Sequence, residues 1–247
     1  MTHRFFIPPP CITPPTVTLP ADVARQIKTV LRMQPGDEVV VLDGSGSEWR
    51  VRLSEVGKNV VLGEIIARQP AAGEPEISLT LYQGALKAQK FEWVLQKGVE
   101  LGISRFTPTL CHRSVANDAG ALTKKQARWQ RIIREAAEQS GRGKLPQLAA
   151  PTPFDQALQQ IQPDTLIVMP WEAAADEANS LKEILTAGPV TEVAIFIGPE
   201  GGFTPDEAAL AQEAGAHLVK LGPRILRAET AGLAVCAAIL YELGEWK

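Results

Sequence analysis

The residues best suited to chemistry lie in two glycine-containing stretches, IGPEGGF at Ile197–Phe203 and LVKLGPRILRAETA at Leu218–Ala231. Each leaves an aliphatic run, enters a loop and leads at once into a helix. Gly198, Gly201 and Gly202 let the backbone take positive φ or approach a ligand closely, and a helix N-terminus that follows offers unpaired N–H groups. Gly222–Arg227 sets Arg224 and Arg227 beside Pro223, Ile225 and Leu226, and Glu229 falls in the first turn of a helix that carries little charge beyond it. Such a helix is buried, which makes its mouth a fixed platform. Two glycine loops at the ends of successive strands make a ligand crevice in an open α/β sheet. Two tight turns would account for the same glycines.

GPEGGF and LGPRILRAETA, at this separation, resemble the signature of the SPOUT methyltransferases, and specifically the RsmE type that methylates N3 of a uridine in small-subunit ribosomal RNA. VLRM at Val30–Met33, KGVELG at Lys97–Gly102 and EQSGR at Glu138–Arg142 resemble segments of the same family, so the likeness runs through nearly the whole chain. It implies a small N-terminal PUA-like β-barrel, a C-terminal α/β domain with a trefoil knot and a mainly parallel sheet, S-adenosylmethionine bound in the knot, and a homodimer. It also implies 16S rRNA in the small ribosomal subunit as partner. A SPOUT enzyme acting on another RNA, or a catalytically silent RNA-binding knot protein, is the alternative.

Uridine N3 belongs to a weakly acidic imide, so its methylation needs the proton removed and the charge growing on N3, O2 and O4 stabilised. On that reading Arg227 donates to those oxygens, and Glu229 orients Arg227 or accepts a proton. Glu229 would equally serve as a helix N-terminal carboxylate favoured by the dipole. Arg224 is expected to reach solvent. For the cofactor, the resemblance implies the backbone of Gly198, Pro199, Glu200, Gly201 and Gly202, that of Leu221 and Gly222, apolar contact from Ile225 and Leu226, and the first turn at Thr230 and Ala231. Met169, at the end of an earlier strand, is expected to add to the pocket wall.

Other site classes fail on spacing. A dinucleotide fingerprint belongs after the first strand of the α/β region, where Leu79–Ala85 offers only Gly84, and no GxxxxGK[ST] occurs. Cys11, Cys111 and Cys236 are scattered without a CxxC or Cys/His ligand spacing, so neither a disulfide framework nor a metal site is expected. No apolar run approaches transmembrane length and no charged-then-apolar leader opens the sequence; a cytoplasmic protein is expected.

The elements that must position these loops follow from periodicity. His3–Ile7 reads as a strand, Pro8–Pro20 as extended or edge structure, Asp22–Met33 as a short helix, and Asp37–Leu42, Glu48–Ser54 and Val60–Ala67 as a meander joined by tight turns. Arg68–Glu76 reads as a linker, which divides the chain into residues 1–70 and 77–247. Beyond it strands at Leu79–Gln83, Phe106–Leu110, Leu166–Met169, Val193–Ile197 and His217–Leu221 alternate with helices over Gln89–Leu101, Leu122–Gln139, Ala178–Thr186, Pro205–Glu213 and Gly232–Leu243. The alternation predicts an α/β domain with a parallel sheet. Thr204, Pro205 and Glu207 supply an N-cap, an N1 proline and a capping-box partner to the fourth of these helices.

The net charge of −3, with 45% hydrophobic residues, suits a globular protein and supplies no general attraction to phosphates. A local basic surface is therefore needed. Lys124, Arg128, Arg131 and Arg134 fall opposite the apolar stripe of Trp129, Ile132, Ile133, Ala136 and Ala137, and Arg142 extends the strip in a GRGK loop. A solvated helix face would look the same. His3, Arg4 and Phe6 combine cations with an aromatic ring that could stack on an unpaired base, and Arg32 adds another cation. Barrel packing would explain Phe6 equally well.

Overall fold

The computed structural model describes residues 2–115, 117–175 and 180–246. The chain forms two compact units: residues up to Glu74 together with Arg134–Leu145, and Pro75–Ile133 together with Pro146 onward.

In the first unit, β1 (Arg4–Phe6), β2 (Ile12–Thr13), β3 (Thr16–Leu19), α1 (Ala21–Arg25), β4 (Glu38–Leu42), β5 (Ser47–Val56) and β6 (Val61–Pro70) build one mixed sheet in the order β1-β4-β5-β6-β3-β2. Only β1 and β4 run parallel; the other pairs are antiparallel. β5 shows period-2 burial, with Val51 and Leu53 turned inward and Arg50 and Arg52 outward, because successive side chains of a strand point to opposite faces. Register shifts at Arg50/Val51 and Leu53/Glu55 mark bulges that add twist, and the sheet curls over a core of Phe5, Val17, Leu19, Ile27, Val39, Val41, Val51, Leu53 and Val61. Two boundaries differ from those expected. The helix from α1 continues as a π-helical turn only to Val30, because Arg32 takes a left-handed φ of 54° ahead of the Pro35-Gly36 turn. The linker is also shorter, since β6 pairs with β5 as far as Pro70.

The second unit holds β7 (Ser78–Gly84), α2 (Ala88–Leu101), β8 (Arg105–Leu110), α3 (Ala119–Thr123), the start of α4 (Gln126–Ser140), β9 (Gln147–Leu148), β10 (Thr152–Pro153), α5 (Phe154–Gln159), β11 (Leu166–Pro170), α6 (Leu181–Thr186), β12 (Glu192–Ile197), α7 (Pro205–Glu213), β13 (His217–Val219) and α8 (Ala228–Glu242). Its sheet runs β10-β8-β7-β12-β11-β13, with β9 on β8, and every recorded pair is parallel. Helices on both faces explain why β12 reads as a nearly unbroken apolar run. Tyr82 and Phe196 stack at 4.4 Å between ring centroids, and Phe154 meets Phe196 edge-on at 5.6 Å.

The strand order also places the loops. The chain leaves β11, returns inside it as β12, then passes outside it as β13, so that β7, β12, β11 and β13 end on one edge of the parallel sheet. The helix expected over Leu122–Gln139 is broken: α3, capped by Asp118, ends at Thr123, and α4 begins at Gln126. Its apolar stripe packs inward, with Trp129 against Phe91 of α2 at 4.5 Å. The expected helix start at Ala178 lies outside the described residues; α6 begins after Ser180, which forms a capping box with Glu183.

Candidate active site

The loop after β12 is held from three sides. Gly202 takes a φ of 67° and its N–H donates to the Pro199 carbonyl at 3.0 Å. Arg113, beyond β8, donates from Nη1 to the carbonyls of Gly201 and Phe203, both at 3.2 Å. Glu207 closes the capping box on Thr204 and also accepts from the His112 N–H at 2.8 Å. Phe203 then buries its ring 5.4 Å from Phe154. The end of β7 makes room for the loop, because a Cβ on Gly84 would stand 2.4 Å from the Pro199 nitrogen.

The loop after β13, Lys220–Leu226, ends at Arg227, the N-cap of α8, whose carbonyl accepts from the N–H groups of Thr230 and Ala231 at 2.8 and 2.9 Å. α8 lies close on the sheet at Gly232, where a Cβ would meet Ile197, Gln83 and Leu81 within 3.4 Å. Two cavities adjoin here. One of about 440 Å³ is lined by Pro170, Trp171, Glu172 and Lys220–Leu226; the other, about 380 Å³, by Lys90, Gly198–Phe203 and Arg227–Glu229. Pro170, Glu172, Ile225, Leu226 and Ala231 line both, so the two form one crevice at the carboxyl ends of the strands.

Its electrostatics centre on Lys90, near the start of α2. The ammonium donates to Glu229 at 3.2 Å and lies 3.7 Å from Glu200, tying the two glycine loops to a third element. Burial alone would raise the Glu229 pKa. Its own backbone N–H, Lys90 and the charge of Arg227 outweigh that and hold it below the ordinary carboxylate value. Its hydrogen-bonded partner is Lys90, and Arg227 acts on it by through-space attraction.

The structure brings Gly198, Pro199, Glu200, Gly201, Gly202, Leu221, Gly222, Ile225, Leu226, Arg227, Glu229 and Ala231 to the crevice wall. Two expected residues stand elsewhere. Met169 is fully buried in the core of the second unit, because its side chain points into the sheet's packed face, and Pro170 takes its place at the wall. Thr230 points to solvent one helical position away from the lining. Lys90, Arg113, Glu172 and Gly84 were missed. A lysine three residues into a helix after a strand end, ALKAQK, was the available signal for Lys90.

The expected basic strip is less uniform than its sequence. Arg128 and Arg131 are exposed, and Arg128 forms a two-pronged ion pair with Glu92 at 2.7 Å. Arg142 is a correction: it is 3% exposed, and both Nε and Nη2 donate to Glu74, whose carboxylate also accepts from the N–H groups of Gly143 and Lys144. The GRGK loop is thus folded onto a buried ion pair and cannot offer Arg142 to a phosphate. Phe6 is likewise buried, at 3% exposure, so its ring does not face an incoming base. Arg4 is paired with Glu48 at 2.6 Å, whereas His3 and Arg32 are exposed. Among the described residues no group of three or more His, Cys, Asp and Glu side chains is placed to hold a metal ion, and no helix is long and apolar enough to cross a membrane.

An RNA methyltransferase domain model matches residues 73–240, and an RNA methyltransferase PUA domain model matches residues 19–66. Ribosomal RNA small subunit methyltransferase E of Bacillus subtilis (strain 168) is 34% identical over 92% of this chain and 91% of its own length. The chain belongs to the ribosomal RNA small subunit methyltransferase E family. The family member of Synechocystis is 35% identical over 97% of this chain and 77% of its own. Among solved structures, that of the Neisseria gonorrhoeae family member bound to S-adenosyl methionine superposes with a TM-score of 0.87 at 31% identity, covering 98% of both chains. A putative methyltransferase of Legionella pneumophila in complex with the same cofactor gives 0.86 at 28% identity, again over 98% of both.

Proposed function

We propose that this protein transfers the methyl group of S-adenosylmethionine to N3 of a uridine in 16S rRNA, on the assembled small ribosomal subunit. The observation that carries the reading is the single crevice made by Gly198–Phe203 and Leu221–Arg227 at the carboxyl edge of the parallel sheet. The residues present fit the cofactor. Its sulfonium and ammonium are cationic, and Glu172, Glu200 and Glu229 line the cavities. Its adenine needs an apolar wall, which Pro170, Leu226, Ala231 and the 88%-exposed Ile225 supply. Burying a side chain such as Ile225 contributes about 1.5–3 kcal/mol.

When bound, the cofactor supplies a methyl already activated by its sulfonium. The chain's own residues then orient and stabilise. Arg227 is the N-cap residue of a rigid helix and lines the crevice, so its planar guanidinium is placed to donate to uridine O2 or O4 as N3 loses its proton to solvent water. Lys90 places a second positive charge on the same wall, and Glu229 fixes its direction. Residues 77–247 form the catalytic part and residues 1–70 the RNA-binding part on this reading. A trefoil knot through β12–α8, implied by the family, is supported by the passage of β13 outside β11.

A homodimer in the cytoplasm is the proposed working form. α8 leaves Ala234, Ala238 and Tyr241 exposed on one face, with Tyr241 at 70%, and a second copy of the same face would cover them.

Mass spectrometry of ribosomal RNA nucleosides from cells with and without the protein tests the activity. Loss of one 3-methyluridine from 16S rRNA is expected. An unchanged nucleoside profile would refute the reading.

A further inference from the structure

The two cavities of the crevice differ in charge, and the difference orients a ligand that fills both. Apart from Glu172, the charged side chains of the cavity beside Lys220–Leu226 are cations, Lys220 and Arg224, set among the apolar Trp171, Leu221 and Pro223. The cavity beside Gly198–Phe203 adds two carboxylates, Glu200 and Glu229. A ligand with a flat neutral ring at one end and a cationic chain at the other therefore lays its ring in the first and its chain in the second, because the reverse pose sets like charges together. S-adenosylmethionine is built in that way, with adenine at one end and the sulfonium and ammonium toward the other.

The middle of such a ligand falls where the two cavities meet. Of the five residues that line both, Pro170, Ile225, Leu226 and Ala231 are apolar, and Glu172 alone is polar. Glu172 stands two residues beyond β11, and its Oε1 lies against the glycine loop, 3.1 Å from where a Cβ on Gly202 would sit. A side chain at residue 202 would push the carboxylate away. Glu200 and Glu229 both face the Lys90 ammonium, at 3.7 and 3.2 Å, whereas Glu172 takes part in no hydrogen bond or ion pair among the described residues. Its lone pairs are open to donors from a ligand.

We propose that Glu172 anchors the ribose of the cofactor, its carboxylate accepting hydrogen bonds from the 2′- and 3′-hydroxyls. The ribose joins adenine to the methionine chain, so it occupies the shared wall when the ends lie as their charges require. Its two neighbouring hydroxyls are donors spaced to meet the two oxygens of one carboxylate, and hydrogen bonds to an ionised acceptor are the strong ones. Acidic side chains hold ribose hydroxyls in dinucleotide sites for the same reason. The inference rests on the reading of the crevice as the cofactor site, and it adds which end of the cofactor lies where. Arg227 lines the Gly198–Phe203 cavity and not the other, so the sulfonium methyl shares a cavity with its guanidinium.

The test measures binding to the full-length protein by calorimetry with S-adenosylmethionine, S-adenosylhomocysteine, 5′-methylthioadenosine and 2′-deoxy-S-adenosylhomocysteine. S-adenosylhomocysteine lacks the sulfonium charge and methylthioadenosine lacks the ammonium as well, but both keep the two hydroxyls. Glu172→Ala is expected to weaken the three ligands that keep both hydroxyls by one common factor, about tenfold or more. The 2′-deoxy analogue, already weaker on the wild type, should lose less on the same substitution, because the two changes remove one interaction. The ligand-free variant should melt as the wild type does, since the side chain is exposed. A lower melting temperature with equal loss on all four ligands would make Glu172 a structural residue and overturn the proposal. A loss confined to S-adenosylmethionine, or one absent from methylthioadenosine, overturns it in favour of a counter-ion to the sulfonium or the ammonium. Unchanged affinity for all four overturns it and leaves the cofactor site standing. Ala231→Trp, which fills the shared wall, checks that site separately: binding of every ligand should be abolished, and binding that survives would refute the crevice as the place of the cofactor.

Discussion

Arg227 and Lys90 are the two cations of the cavity beside Gly198–Phe203, and their surroundings predict different consequences when each is changed. Arg227 is exposed at the helix mouth and makes its structural contribution through backbone atoms, which alanine keeps. Arg227→Ala is therefore expected to fold, to bind S-adenosylmethionine nearly as before, and to lose about a hundredfold or more in single-turnover methyl transfer. Arg227→Lys keeps the charge but not the planar donors, and an intermediate rate is expected. Near-normal transfer by the alanine variant would remove Arg227 from the chemistry. Lys90, in contrast, acts on Glu229. The Glu229 pKa is depressed, so what its ionised form contributes is present above the ordinary value of 4.5 and is lost as pH falls through the lower folded value. Lys90→Met removes the ammonium that helps depress it, and the acid limb of the activity profile should move to higher pH. An acid limb that stays in place would show that the Lys90–Glu229 pair does not set it.

At the scale of elements, the segment after α4 depends on an ion pair that its polar sequence conceals. Glu74 accepts from Arg142 and from two successive backbone N–H groups, so the GRGK loop has a fixed course. Glu74→Ala would leave a guanidinium that is 3% exposed without its carboxylate, and should destabilise the protein by about 3–5 kcal/mol in urea unfolding. A loss below 1 kcal/mol would mean that water replaces the carboxylate. The same pair carries a pH signature. Burial would raise the Glu74 pKa, but Arg142 and the backbone donors prevail and lower it. Its contribution is thus complete above the ordinary carboxylate value and disappears as pH falls through the depressed one, so the urea midpoint of the wild-type protein should fall on acidification more than that of Glu74→Gln. Equal acid dependence of the two would exclude Glu74 as the cause.

For the whole molecule, the proposed homodimer would use the exposed face of α8. Ala234 and Ala238 are four residues apart and small, which lets a second helix approach closely, and Tyr241 continues the row. Light scattering at micromolar concentration should give twice the chain mass of 26.7 kDa, and Ala234→Glu with Ala238→Glu should reduce it to one. A wild-type monomer would remove the dimer from the proposed function.

Local signals in the sequence were sufficient for much of this protein. The capping box at Thr204 and Glu207, the glycines of both loops, the alternation in β5 and the apolar run of β12 are each set by neighbours a few residues away, and they were legible for that reason. The burial of Phe6 and the loss of Arg142 from the basic strip were not. Each depends on a partner remote in sequence: Glu74 is 68 residues from Arg142, and Glu138 is 132 residues from Phe6. The crevice follows the same division. Arg227 and Glu229 stand out as residue types at a helix mouth, whereas Lys90, 139 residues from Glu229, and Arg113, 88 residues from Gly201, acquire their places only when a parallel sheet gathers several strand ends on one edge. Hydrophobic period and turn chemistry specify elements, but a buried charge chooses its partner by proximity in the folded chain, and that proximity exists only after the sheet order is set.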